Sequence, residues 1–303
     1  RLAQTAGPAR TRLTAMWVLD GLNAIEPALV TRLLSDPDRD IRASAIRIAE
    51  RWLGMPNHPI QAAVLKRLDD PDWAVRYQLA ASIGAMAPGA RESAAAAFLE
   101  RHAEDPIAMD ATLSGLRGSE PEVIDRLMHA ADHTPAREDA IVMLSALVIR
   151  GGQDAAIQTL LARVADGAHP EWQRSAVLRG AEVAWANATM PGTPRRGSGP
   201  GPLATNAPCP TCPGARGGPG GDRAFPGGPE AAASNFVNPF AAGVRTTGRA
   251  AVPPPTPAVS AGGRGGGPIV RMSREPQALA SVARGTGPLA SRAAALLARI
   301  EWP

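Results

Sequence analysis

The sequence predicts an all-α fold: a superhelical solenoid of about five helix pairs, a long Gly/Pro-rich irregular segment, and a closing helical pair. Three observations lead there. A motif recurs at a constant spacing, apolar positions between its copies keep helical periodicity, and composition changes abruptly after residue 190. The expected organisation is residues 1–190 as solenoid, 191–272 as a largely disordered linker, and 273–303 as a pair that caps the array.

The repeat comes first because self-similarity decides the architecture. "LLSDPDRDIRASAIRIAERWL" (33–53) aligns with "RLDDPDWAVRYQLAASIGAM" (67–86), so that Asp36, Pro37, Ile41 and Arg42 recur as Asp70, Pro71, Val75 and Arg76. A third unit has Asp105 and Pro106, one position later than that period would put them, with Asp110 and Ala111 where the Val-Arg pair stood. Weaker units follow over 127–147 and 160–184, and "RTRLTAMWVLDGL" (10–22) reads as the second helix of a unit.

Within one unit the physics is direct. Leu29, Val30, Leu33 and Leu34 form one apolar helical face. Pro37 disfavours helix at the residue before it, where Asp36 is placed to cap the next helix. Ile41, Ala45, Ile48, Ala49 and Trp52 make the second stripe, and Ser119-Glu120-Pro121-Glu122 has capping-box spacing ahead of another. Each pair exposes faces that only a neighbouring pair covers, so the units must stack. An irregular helical bundle is the alternative arrangement.

The segment Asp-Pro-x-x-x-(Ile/Val)-Arg, at Asp36 to Arg42 and Asp70 to Arg76, resembles the HEAT repeat. That resemblance implies a hydrogen-bonded ladder of acidic residue and arginine between successive turns, carried here by Asp36, Arg42, Asp70 and Arg76. Most of residues 10–185, from "RTRLTAMWVLDGL" through the two Asp-Pro units to "YQLAASIGAM" and beyond, together with the final "LLARIEWP", further resembles the HEAT region of bacterial fusion proteins. Those join a sorbosone-dehydrogenase-like β-propeller of pyrroloquinoline-quinone type, HEAT repeats and a C-terminal c-type cytochrome. The resemblance implies a non-catalytic scaffold in a periplasmic or secreted electron-transfer protein, with propeller and cytochrome domains as partners. Haem c and pyrroloquinoline quinone would belong to those flanking domains, and no cofactor is expected in this segment.

After residue 190 the chain changes character. Gly or Pro fill 34 of the 78 positions from Pro191 to Pro268, too many for a segment that must bury apolar surface to offset ordering entropy. Treated as a flexible coil, such a linker spans about 50 Å root-mean-square, which would give a following domain wide reach. Structure is expected to return at "SREPQALASVA" (273–283), with Ser273 as cap, and at "GPLASRAAALLARI" (287–300).

Charge follows the same division. Residues 1–190 carry 20 basic and 24 acidic side chains, net −4, and residues 191–303 carry 12 and 4, net +8. The basicity of the chain therefore belongs to its tail, and no nucleic-acid partner is expected of the repeats. The rival readings are a HEAT-type nucleic-acid-binding or DNA-glycosylase-like protein, against which the acidic repeats argue, and a HEAT-like bilin lyase or other modifying enzyme, for which no committed acid or base stands out. The bias to 31 arginines over the single Lys66 points to a GC-rich bacterial genome. There is no run of 18 apolar residues, so no membrane span is expected. With no initiator Met, and with an abrupt stop at "RIEWP", the chain reads as a piece of something longer.

Chemistry-bearing residues are sparse. Cys209 and Cys212 in "PCPTCPG" could be half a zinc site, a redox couple, a disulfide or a haem motif. Pro213 stands where haem attachment needs His, and no third Cys supports zinc. The oxidising compartment implied by the fusion-protein resemblance makes a local disulfide the expected state. His129 and His133 have the spacing of one helical face, but Pro135 follows at once. Trp73 and Trp172, placed at turns, are expected to be the exposed tryptophans.

Overall fold

The computed structural model describes residues 1–116, 118–186, 188–191 and 270–303. Those residues form one compact unit. It opens with a short α1 (Leu2–Thr5) and a longer α2 (Ala9–Gly21), and then runs as five helix pairs. These are α3 (Pro27–Leu33) with α4 (Arg39–Leu53), α5 (Pro59–Leu65) with α6 (Trp73–Ile83), and α7 (Ala90–His102) with α8 (Pro106–Ser114). The fourth and fifth are α9 (Glu120–His129) with α10 (Pro135–Arg150) and α11 (Asp154–Ala165) with α12 (Glu171–Trp185). This is the stacked all-α array that the repeat predicts.

The start signals lie in the sequence. Pro27, Pro59, Pro106, Pro121 and Pro135 each occupy the first or second position of a helix, where the missing N–H costs nothing. The caps sit elsewhere than the sequence places them. In α4 it is Asp38, not Asp36, whose carboxylate accepts from the amides of Asp40 and Ile41 at 3.0 and 3.2 Å. Asp72 does the same for Ala74 in α6. Ser119 caps nothing with its side chain, because its hydroxyl donates to the Leu116 carbonyl and accepts from Arg91.

Packing follows two rows. The second helices stack as α2 on α4, α4 on α6 and α6 on α8, and again as α10 on α12; among first helices, α7 packs on α9. Between the third and fourth pairs the row steps aside, and α10 packs against both α7 and α9. The apolar faces read from sequence are buried: Leu29, Val30, Leu33 and Leu34 on α3 and its end, and Ile41, Ala45, Ile48 and Ala49 on α4. At α10–α12 the backbones come closest: a Cβ on Gly180 would lie 2.4 Å from the Ser145 Cβ, so only glycine fits.

The array continues at residue 270. α13 (Gln277–Ala283) packs on α11, and α14 (Pro288–Leu297) packs on α12. Arg292 of α14 grips Glu182 of α12 through two N–H···O contacts of 2.7 and 3.0 Å. A parallel two-stranded ladder of β1 (Val270–Arg271) and β2 (Ile300–Glu301) ties the ends of this pair together. Ser273 is therefore no cap: its amide donates to the Asp154 carboxylate at 2.6 Å, and Pro276 precedes α13. Secondary structure is already present at Val270 in β1, ahead of position 273. Residues 192–269, with Cys209 and Cys212, lie outside the described residues.

Candidate interaction surface

The turns between the helices of each pair carry the polar chemistry of the molecule. Arg12 of α2 meets Asp36 with two contacts, Nε–Oδ2 at 3.0 Å and Nη2–Oδ1 at 2.8 Å. Its Nη1 donates to the carbonyls of Ala6 and Gly7, both at 2.9 Å. Arg42 repeats the pattern one unit on, with Asp70 at 2.9 and 2.8 Å and with the carbonyls of Asp36 and Pro37 at 2.9 and 3.0 Å. Each arginine thus reaches back into its own turn and forward to the next. The fork shape of guanidinium allows both at once.

Arg42 and Asp70 are 9% and 4% exposed, so this pair is buried and its lone pairs must be satisfied by protein. Burial pushes the Asp36 carboxyl up, but bonds from Arg12 and the Asp38 amide outweigh it and hold the group below the usual carboxylate range.

The third rung differs from expectation. Arg76, read from sequence as a ladder arginine, forms no ion pair among the described residues; its guanidinium lies over the Trp73 ring at 3.7 Å from the centroid. Tyr77 takes the rung, donating its hydroxyl to Asp105 Oδ2 at 3.1 Å. The reason is a turn shortened by one position. Asp105 also caps α8 through the Ala108 amide at 2.8 Å, so one carboxylate does the work that Asp70 and Asp72 share. Met109 and Leu113 are buried at the same repeat distance from Val75 and Leu79 that separates Val75 from Ile41, which shows the helix register holding while the turn contracts.

Around Trp73 an aromatic cluster forms. Tyr77 stacks on it at 5.2 Å, His102 meets it edge-on at 5.7 Å, and His102 itself is fixed by the Leu68 carbonyl at 2.8 Å. Trp73 remains 38% exposed. Trp172 is half-buried instead, its indole N–H donating to the Ala131 carbonyl and its ring stacked on His133 at 4.7 Å. That stack takes His133 out of any pairing with His129, since α9 ends at His129. Sequence reasoning missed this contact because its members stand far apart in the chain, in different helix pairs.

Acidic side chains gather beside the cluster. Glu104 and Asp110 are exposed and form no hydrogen bond or ion pair among the described residues. Burial pushes the half-buried Asp139 carboxyl up, Arg179 pulls it down, and the neighbouring charges of Glu138 and Glu104 add to the rise. Among the described residues no group of three His, Cys, Asp or Glu side chains is arranged to hold a metal. A groove of about 790 Å³ lies on α1 and α2, lined by Leu2, Val18 and Leu19 with Arg1 and Arg10. It is apolar and separate from these turns.

Residues 26–117 match the HEAT repeats family. No curated protein and no solved structure matches the chain. The matched span covers α3 to α8, the HEAT units in which the Asp-Pro motif and its rungs stand. Beyond it, α9 to α14 extend the HEAT-like stack without the Asp-Pro turns. No described helix is long and apolar enough to cross a membrane.

Proposed function

We propose that this chain is a non-catalytic HEAT-repeat scaffold that docks other protein domains, within a larger periplasmic dehydrogenase–cytochrome c electron-transfer protein. The observation that carries the scaffold reading is the stack itself. Stacked pairs cover one another's apolar faces and leave one side of α4, α6 and α8 open, with Trp73 and Ile107 exposed on it. An extended, laterally repetitive surface of this kind suits binding to protein partners. HEAT repeats mediate protein–protein interaction, and the match over residues 26–117 supports the same role here.

The electron-transfer setting is supported by the resemblance of residues 10–185 and of "LLARIEWP" to the HEAT region of propeller–cytochrome fusions. In that setting the partners are the propeller and cytochrome domains, pyrroloquinoline quinone and haem c reside in them, and Cys209 and Cys212 form a local disulfide. Its loop is short, so it would add little to global stability. The test is twofold. The DNA flanking this reading frame should encode a propeller upstream and a Cys-x-x-Cys-His downstream, and the purified full chain should bind those domains in calorimetry. Flanks with neither domain would remove the electron-transfer setting, and an array that binds no partner domain would remove the scaffold.

A further inference from the structure

Trp73 and Ile107 stand one repeat apart, at the first turns of α6 and α8, and those helices pack side by side. They therefore hold the same register position in adjacent units. Both are exposed, at 38% and 62%. In the preceding unit the same position is Arg39, tied to Asp72 at 3.3 Å. The result is a row of two apolar side chains, bounded at one end by a paired cation.

The row is flanked by negative charge. Glu104 and Asp110 lie just before and just after Ile107 in the chain, exposed and free of ion pairs among the described residues. Arg76, the cation beside Trp73, sits over the indole, 3.7 Å from its centroid. The indole is thereby held by Arg76, Tyr77 and His102, so little side-chain freedom is lost when something packs on it.

The spacing selects the shape of the occupant. Neighbouring helices pack about 8–10 Å apart. A polyproline II peptide, at roughly 3.1 Å per residue and three residues per turn, returns the same face every 9 Å or so. An extended β-strand returns it about every 6.6 Å, which fits the row poorly. Proline rings suit an indole and an aliphatic side chain, and the carboxylates beside the row call for cations.

We infer that Trp73 and Ile107, with Glu104 and Asp110 beside them, form a docking strip for a proline-rich peptide that carries arginine or lysine at every third residue. The inference rests on the scaffold reading and names the partner chemistry of one part of that surface. Prolines at successive turns seat on Trp73 and Ile107, and the cations between them face Glu104 and Asp110.

The experiment is fluorescence anisotropy of the full chain with a labelled peptide of repeating Pro-Pro-Arg. Peptides of repeating Pro-Pro-Glu and Gly-Ser-Arg serve as comparisons. The Pro-Pro-Arg peptide should bind at least about tenfold more tightly than either, and Ile107→Ser should weaken it about tenfold. The double variant Glu104→Gln/Asp110→Asn should weaken it several-fold and flatten its salt dependence. Leu2→Ser, on the far groove, should change nothing; all four sites are exposed, so the variants keep the fold. Equal binding of the three peptides, no binding, or an Ile107→Ser chain with unaltered affinity would each overturn the strip. None of these touches the scaffold reading, which is judged by binding of whole partner domains to the array.

Discussion

Tyr77 donates its hydroxyl to Asp105, 28 residues ahead, just as Arg42 reaches Asp70 28 residues ahead. The two side chains occupy adjacent positions in their helical units, and the shorter turn at Asp105 decides which of them arrives. Burial and the bond to Asp105 both push the Tyr77 hydroxyl's pKa up. Tyr77→Phe should lower the thermal midpoint, whereas Arg76→Gln should alter it less. Thermal unfolding followed by circular dichroism checks the pair, and a larger effect at Arg76 would return the rung to the arginine.

The buried rung is the costly one to break. Asp70→Ala leaves the Arg42 guanidinium buried without its carboxylate, a loss of about 3–5 kcal/mol. Asp70→Leu combined with Arg42→Leu removes both charges together and should recover much of that loss. Urea unfolding of the three chains measures it; a double variant as unstable as the single one would contradict a simple pair.

Gly180 faces Ser145 across the α10–α12 contact, with a Cβ on it 2.4 Å from the Ser145 Cβ and 2.6 Å from the Val142 carbonyl. Gly180→Ala should therefore destabilise the chain by about 1–3 kcal/mol, although alanine is the better helix former. Adding Ser145→Gly should recover only part of the loss, since the Val142 carbonyl stays. A neutral or stabilising Gly180→Ala would mean that the two helices separate without cost.

Glu92 supplies a pH dependence. Burial pushes its carboxyl up, yet its own amide, the Gly89 amide and Arg91, with the Ser119 hydroxyl beside them, outweigh it and bring the pKa from 4.5 to about 2. Because the folded value is the lower one, the contribution is complete above pH 4.5 and is lost as pH falls toward 2. Its upper bound is about 3.4 kcal/mol. Glu92→Gln should flatten that part of the stability profile, measured by denaturant unfolding between those limits; an unchanged slope would assign the dependence to other carboxylates.

Cys209 and Cys212 give a chemical check on compartment. Protein isolated under oxidising conditions should take up thiol reagent only after reduction. Labelling before reductant would count against both the disulfide and the periplasmic setting.

Much of this molecule can be read from its residues because local rules and packing agree. The Asp-Pro turns and the apolar stripes of α3 and α4 follow from spacing, and the Arg42–Asp70 rung is what the HEAT resemblance implies. What escapes is set by distance in the chain or by a one-residue change. Asp36 is the cap expected from sequence, but the Arg12 guanidinium and the Asp38 amide engage its carboxylate, and Asp38 caps α4 instead. Asp105-Pro106 looks like Asp70-Pro71, yet burial of Met109 and Leu113 fixes the helix and shortens the turn, displacing Arg76. The meeting of His133 with Trp172, and the seat of α13 and α14 on α11 and α12, depend on contacts no local pattern encodes.

The last of these contacts changes what residues 192–269 connect. The chain leaves the stack after α12 and rejoins it at residue 270 in a pair packed on α11 and α12, so this excursion begins and ends on one stack. Most of the array gains its order from nearest neighbours, but its final layer rests on contacts between residues far apart in the chain, such as Arg292 with Glu182, 110 positions apart. Closure is therefore the high-contact-order event in an otherwise low-contact-order chain, and the slowest step of assembly belongs to it. A protease cut within the excursion would leave two fragments joined through Arg292–Glu182, Ser273–Asp154 and the apolar layer, which makes this chain a candidate for split-protein complementation.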